Sequence, residues 1–451
     1  MPVEPLAAVG PASAGSERVA VSSSPSGRAT FRDVFAVREF RALWASQILS
    51  VGGDRLALVA LTLLIYDRTH SPLLAAVAYA AGNVPYLLGG LFLSSLADRL
   101  PRRGVMVVCD LLRAGLVAVM LLPRMPLDAL IGLLYAVTAV QPPFDAARSA
   151  IARDILPQDK YAIGAATMQM TMRTLVVGGA AIGGLTVALV GARYALGVDG
   201  ATFVASALIL QLGLRARPAA AAAGTNGLVQ LVGGIKLVFG DPALRVLMLL
   251  GWLAAFYEIP EGIAAPYAGR LGGGAVATGL LIAFSQLGAV ACAPFFTSKI
   301  GPLTRLRWMG PMAVCACGTL ALTAFGPDLA VSMAIFALSG AFAIYQIAAN
   351  TAFVERVPNE RRAQAFGLAN AGMMVGQGVA FALAGAAAEV VPPSTVTAIG
   401  GGLGALVACG LALRWRRMSP AVGRHSARHL GRQASLTRQA PVHVGSYSVG
   451  D

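Results

Sequence analysis

The sequence predicts an all-α integral membrane protein, with twelve transmembrane helices in two six-helix bundles related by an internal repeat. Three observations predict it. Only 12% of the 451 residues are charged and 57% are apolar, about half the charge of a soluble domain. Apolar stretches of about twenty residues, enough for about 30 Å of hydrocarbon, recur along the whole chain. Matching segments return at an offset of about 200 residues. A soluble chain of this length would form two or three domains with charged skins, and the sequence has too few charges to make them. The five cysteines lie inside apolar stretches and form no C-x-x-C pair, so they read as small buried apolar residues. Three of the four histidines fall in the C-terminal tail, so no metal cluster is expected.

The elements follow in chain order. Residues 1–35 read as a disordered cytoplasmic segment, because 1–30 are rich in Ser, Ala, Gly and Pro and lack the basic and apolar regions of a signal peptide. Residues 36–213 form the first bundle, with apolar segments near 41–66, 72–96, 104–123, 127–143, 163–190 and 194–213. An Ala-rich stretch opens the cytoplasmic linker 214–240. The second bundle, 241–415, has segments near 244–267, 273–297, 305–326, 329–350, 364–388 and 394–414. Residues 416–451 form a basic tail expected to be disordered, resting on anionic lipid. Ser71-Pro72 and Asp241-Pro242 read as helix starts, each an N-cap followed by proline at the first helical position.

The net charge of +14 would suggest nucleic acid in a soluble protein. Its distribution says otherwise. The termini and the even-to-odd loops hold 28 Arg and Lys, the opposite loops four, and the segments themselves three. That bias places both termini in the cytoplasm and makes the charge topological, with the lipid bilayer and not nucleic acid as partner. The repeat is clearest after the fourth and tenth segments. Ala152-Arg-Asp154-Ile-Leu-Pro157-Gln-Asp-Lys160 matches Phe353-Val-Glu355-Arg-Val-Pro358-Asn-Glu-Arg361. Parallel six-helix repeats are a transporter design.

The loop after the second segment reads Ser94-Ser-Leu-Ala-Asp98-Arg99-Leu-Pro-Arg102-Arg103. It resembles the G-x-L-a-D-R-x-G-R-R signature of the major facilitator superfamily. Asp98, Arg99, Arg102 and Arg103 match, while Ser94 and Pro101 stand where glycines are usual. A carboxylate there can cap a neighbouring helix and the arginines can pair with acids at the cytoplasmic face, a gate that locks one conformation. Ile48 to Leu61, Tyr66 to Pro72, Cys109 to Arg113, Ala147-Arg148-Ser149 and Pro260-Glu261-Gly262 are similar to the branch with macrolide-efflux pumps and the enterobactin exporter. The resemblance covers residues 36–418 and implies the major facilitator fold. Gly179-Ala-Ala-Ile-Gly183-Gly184 is similar to the antiporter signature G-P-x-x-G-G, with Ala180 replacing proline, and small residues of this kind let helices approach closely. The arginine that drug/proton antiporters often carry in the fourth helix is absent.

Charges inside the apolar segments are costly and mark function. Asp54 lies about 20 Å into the first segment, near mid-depth, and Arg55 follows it. Glu258 lies at a similar depth in the seventh segment, the repeat counterpart of the first. Glu261 shares its face by i,i+3 spacing, and Arg173 lies near the middle of the fifth. Burial favours the neutral carboxyl and a nearby guanidinium the charged one. Acids that gain and lose an arginine partner as a cavity opens would therefore carry protons. The bland alternative is a permanent pair of Asp54 with Arg173 or Arg55. Arg173 could also face an anionic substrate, and Asp110 with Arg113 reads as a structural pair. Tyr86, Trp252, Tyr257, Gln286, Tyr345, Gln346 and Asn350 are further cavity candidates.

The expectation is a monomeric secondary transporter in the plasma (inner) membrane that exports a small amphiphilic molecule (a drug, antibiotic or siderophore-like compound) in exchange for protons. The proton gradient supplies the energy and no cofactor is needed. An uptake permease of the same fold and a non-transporting receptor or scaffold are the alternatives. No phosphate-binding G-x-x-x-x-G-K-[ST] loop is present, and neither H-E-x-x-H nor G-x-S-x-G occurs, so the chain is not expected to be an ATPase or a membrane enzyme.

Overall fold

A computed structural model describes residues 30–93, 100–217 and 227–438. Asp98 and Arg99 of the loop signature lie outside the described residues, as do the leader to residue 29, most of the Ala-rich stretch and the last thirteen residues. Among the described residues, eleven helices are long and apolar enough to cross a membrane. In the first half they are α1 (Arg38–Thr69), α2 (Pro72–Gly90), α4 (Leu127–Ile155), α5 (Lys160–Val190) and α6 (Ala192–Gly213). In the second they are α7 (Pro242–Gly262), α8 (Ala275–Lys299), α9 (Pro302–Phe325), α10 (Leu329–Arg356), α11 (Asn359–Ala388) and α12 (Pro393–Met418). Between α2 and α4 lies α3 (Arg102–Met120), 19 residues long. It has the length to span but carries Arg103, Asp110 and Arg113, the last two fully buried among the helices. Large apolar side chains such as Leu189, Leu212 and Leu406 face outward, as lipid rather than water requires.

Local chemistry sets the helix starts. Ser71 accepts from the Leu74 amide at 3.2 Å ahead of Pro72. Asp241 accepts from the Ala243 and Leu244 amides ahead of Pro242, and Asp328 caps α10 through the Val331 amide at 2.8 Å. These side chains satisfy amides that the first turn leaves unpaired. Gly191, at φ +85°, allows the sharp reversal between α5 and α6.

α1 begins and α12 ends at one face of the molecule, which also carries Arg102, Arg153, Arg361 and Arg362. This is the basic face, and the Thr69–Ser71 turn lies at the far face. Across the two halves, α5 packs on α8 and α2 on α11. The predicted glycines explain the first contact. A Cβ on Gly184 would lie 3.0 Å from the Gly279 Cα, one on Gly183 3.3 Å from the Leu56 Cα, and one on Gly179 2.7 Å from the Arg55 Cβ. The motif is thus a close-contact surface toward both α1 and α8.

Several helices break near mid-depth. α2 unwinds at residues 81–83 ahead of Pro85, and α4 bends at Val140 ahead of Pro142 and Pro143. α7 is interrupted at Leu253 and Glu258, with Pro260 inside it, and beyond a break at Ile263 the helix Ala264–Arg270 carries Pro266. Proline removes an N–H and clashes with the preceding turn. α10 breaks at Ile344, within one turn of the position in the second half that matches Val140 in the first.

Four boundaries differ from the sequence reading. α4 passes its two prolines and continues to Ile155, so Ala147-Arg148-Ser149 lies within the helix rather than after it. The segment expected to be disordered contains the short helix Phe31–Phe35, closed by a Thr30–Asp33 capping box. The linker contains the helix Gly227–Gly240, which packs on α11. The helix of α12 extends to Arg438, where the sequence predicts a disordered tail from 416; its Ala, Arg, Leu and Gln are good helix formers.

Candidate functional site: a cavity between the bundles

Two cavities meet at mid-depth. The first, about 370 Å³, lies among α1, α2, α4, α6 and α7 and is lined by Asp54, Arg55, Tyr86, Asp145 and Asp199. The second, about 870 Å³, lies among α5, α7, α8 and α10 and is lined by Arg173. It reaches Thr297 and Ser298 at the basic-face end of α8. Glu258, Glu261 and Gln286 line both. The five residues expected at a central site, Asp54, Arg55, Arg173, Glu258 and Glu261, therefore border one continuous region.

The broken backbone of α7 presents its two acids. Glu258 has φ −93° and ψ −1°, off the regular helix, and the Glu261 amide donates to the Glu258 carbonyl at 2.9 Å in a tightened turn. Glu261 accepts three hydrogen bonds, from Tyr79 Oη at 2.9 Å and from Ser285 Oγ and Gln286 Nε2 at 2.5 Å each. Three donors on one carboxyl suit the acceptor-only carboxylate. Tyr79 belongs to the first bundle, so this contact joins the halves. Glu258 accepts from Gln377 Nε2, whose Oε1 accepts from Asn83 Nδ2 at 3.3 Å, a second bridge between bundles.

The partner of Asp54 is neither Arg55 nor Arg173 but Arg113. Arg113 donates to Asp54 through Nη2 and to Ser50 Oγ through Nη1 at 3.1 Å, and lies 4.1 Å over the Phe203 ring. Asp110, read as its structural partner, is more distant at 3.9 Å. The reason is geometric: Arg113 reaches across from α3 to α1, whereas the Arg55 stem turns toward α5, into the space left by Gly179. Asp199 of α6 completes the group, with Oδ1 buried and without a hydrogen bond among the described residues. Three carboxyls, Asp110 and Asp199 buried and Asp54 partly exposed to the cavity, thus lie within electrostatic reach of one guanidinium.

Sequence reasoning missed Asp199 and Asp145. Asp199 was visible as an acid inside the sixth apolar segment. Asp145 was hidden because Pro142-Pro143 reads as a helix end; it pairs with Arg148 at 2.9 Å and accepts from Tyr86 Oη at 3.0 Å. Of the polar and aromatic candidates, Tyr86 and Gln286 line the first cavity and Tyr257, Gln286 and Gln346 the second. Trp252 and Tyr345 instead donate to the Ala369 and Leu250 carbonyls as helix-packing contacts, and Asn350 borders neither cavity.

At the basic face, Arg102 pairs with Asp154 at 2.5 Å and Arg103 donates to the Leu214 carbonyl at 3.0 Å. The first contact stays within the first bundle, and the second ties α3 to the residue that follows α6. In the second, Asp241 pairs with Arg356 at 3.1 Å. The Asp241 carboxyl is pushed up by burial, but the Ala243 amide and the Arg356 guanidinium outweigh this and hold it below its ordinary value.

Comparison with known proteins agrees with this architecture. The model of the Major Facilitator Superfamily matches residues 43–352. The Bacillus subtilis (strain 168) protein named "Uncharacterized MFS-type transporter YkuC" is 28% identical over 182 residues, 40% of this chain and 42% of that protein. The chain thus spans less than half the length of that relative. Among crystal structures, a POT family transporter in complex with 5-aminolevulinic acid superposes with a TM-score of 0.70 at 10% identity, covering 88% of this chain and 98% of that one. The nucleoside transporter NupG gives 0.64 at 15% identity, covering 83% and 99%. A bacterial homologue of the iron transporter ferroportin in its inward-facing state gives 0.59 at 14%, covering 84% and 98%. At these identities the likeness carries the fold alone.

Proposed function

The chain belongs to the Major Facilitator Superfamily, and on that premise we propose that this multi-pass membrane transporter exports a small amphiphilic molecule in exchange for protons. In this reading it resides in the plasma (inner) membrane with the basic face toward the cytoplasm, in line with the positive-inside bias. The observation that carries the proposal is the mid-depth region floored by Glu258 and Glu261, on a broken helix at the junction of the two bundles. Discontinuous helices at a repeat interface are where such transporters hold cargo and coupling ions.

The chemistry follows from which partners change. Glu261 and Glu258 are linked to Tyr79 and, through Gln377, to Asn83 of the opposite bundle. Rocking the bundles breaks those links and changes the environment of both carboxyls. A carboxyl that loses its donors takes up a proton more readily, and one that gains a guanidinium releases it. The Asp54–Asp110–Asp199 group around Arg113 supports the same reading, because it gathers further ionisable carboxyls at membrane depth near a single guanidinium.

The test is flux in reconstituted vesicles with an imposed pH gradient, across a panel of fluorescent amphiphiles. Export predicts cargo movement opposite to the proton flow. Movement with the protons would make the chain an uptake permease, and absence of flux across the panel would favour a receptor or scaffold.

A further inference from the structure

We propose that Arg55 and Arg173 form an anion-binding subsite, so that the cargo carries a negatively charged group on an apolar body; this rests on the transporter reading above. Each arginine borders one of the joined cavities. Neither makes a hydrogen bond or ion pair with protein among the described residues. That is unusual for arginine at membrane depth, where a charge is costly and is normally paired.

The nearby acids do not serve as their partners. Glu261 is occupied by Tyr79, Ser285 and Gln286, and Glu258 by Gln377. Both guanidiniums nevertheless lie within electrostatic reach of Glu258, the acid that lines both cavities. The Arg55 stem rests against Gly179 of α5, and Arg173 sits six residues earlier on that helix, about 9 Å along its axis. Two planar cations on adjoining helices, with neutral donors already on the acids, await acceptors from outside the protein. A carboxylate or phosphate fits, since each can receive two parallel N–H bonds from one guanidinium.

The rest of the second cavity describes the remainder of the ligand. Beyond Arg173 its wall includes Ala289, Val290, Phe336, Ile344 and Ile347. Its volume of about 870 Å³ falls in the range of sites for drug-sized molecules. An apolar body there leaves an acidic head at the arginines.

Binding to the purified full-length protein in neutral detergent tests this without any proton gradient. The probes share one ring system: 1-naphthoic acid, 1-naphthyl phosphate, 1-naphthylmethylamine and 1-naphthalenemethanol. At least one acid is expected to raise Tm by about 3–6 °C at saturation, and the amine and alcohol are expected to leave it unchanged. Arg173→Gln and Arg55→Gln should each weaken that acid about tenfold or more, with Arg173→Lys recovering part of the loss. Size-exclusion elution identical to the parent shows that the variants fold. Equal stabilisation by the amine or alcohol, stabilisation by none of the probes, or an acid response untouched in both Gln variants overturns the proposal. The preferred acid, carboxylate or phosphate, names the head group. Loss of pH-driven flux with acid binding intact would count against coupling alone.

Discussion

Glu389 at the end of α11 accepts a hydrogen bond from Ser71 Oγ at the start of α2, at 2.5 Å. The same carboxyl oxygen accepts from the Leu73 amide at 3.1 Å, so a residue of the second bundle caps a helix of the first. Beside it a Cβ on Gly385 would lie 2.9 Å from the Leu73 Cα. The far face is therefore latched between bundles, while the ion pairs Arg102–Asp154 and Asp241–Arg356 at the basic face each stay within one bundle. Opening toward the far face has to break this latch. Glu389→Ala should remove about 1 kcal/mol of capping and dipole stabilisation, shifting the balance about fivefold toward the far-open form. An introduced Ala76→Cys, buried here against α11, should then react several-fold faster with an impermeant maleimide. An unchanged rate would assign the latch no part in the equilibrium.

Gly184 and Gly279 allow α5 and α8 to touch. Gly184→Ala places a methyl 2.4 Å from the Ala275 carbonyl oxygen, and overpacking of this kind costs about 1–3 kcal/mol. Gly178→Ala, six residues earlier with no atom within 4 Å of the added carbon, should be neutral or slightly stabilising. Thermal unfolding in detergent should separate the two, with the Gly184 variant lower by several degrees. Equal melting temperatures would show that the interface yields without cost.

Arg113 is the sole cation in direct contact with Asp54 among the described residues. Arg113→Gln leaves that acid without its counter-charge and should destabilise by about 3–5 kcal/mol. Combining it with Asp54→Asn should restore much of the loss, because a neutral pair replaces a broken ionic one. Additive losses in the double variant would show that the two side chains contribute independently.

Much of this was legible in the chain. The twelve segments, the two starts at Ser71 and Asp241 and the acids Asp54, Glu258 and Glu261 were visible because a charge inside an apolar run is a local signal. The pairing of Asp54 was not, because it depends on the rotation of α3 against α1: spacing alone offered Arg55 or Arg173 and gave Arg113 to Asp110. Asp145 was lost to the same ambiguity that shortened α4: Pro142-Pro143 ends a helix in water, whereas here the packed bundle carries the helix past them. The meaning of Gly179, Gly183 and Gly184 also required neighbours, since a glycine states only that something comes close.

Asp241 gives a pH signature outside the membrane-spanning segments. Its native carboxyl lies below the 3.8 of the free side chain. Its contribution is therefore complete above about pH 4 and fades as pH falls through the native value. Asp241→Asn keeps a capping group but loses the charge toward Arg356, so it should lower stability at pH 7 by less than about 1 kcal/mol. The gap from the parent should close below pH 3. A gap that is constant from pH 7 to 3 would mean that the charge contributes nothing.

Glu258 and Glu261 differ in how their loss should read out. Glu258 has Gln377 as its one side-chain hydrogen-bond partner among the described residues, so Glu258→Gln keeps an amide-compatible site while removing the ionisable group. Flux driven by a pH gradient should fall about tenfold or more, with exchange of cargo across the membrane at equal pH largely kept. Glu261 holds Tyr79, Ser285 and Gln286 together, and an amide cannot accept from all three without one donor meeting its NH2 group. Glu261→Gln should therefore depress both driven flux and equal-pH exchange and lower the melting temperature. Measuring the two fluxes side by side separates a proton carrier from an organising acid. If Glu258→Gln left the driven flux and its pH dependence intact, the coupling role would pass to the Asp54, Asp110 and Asp199 group.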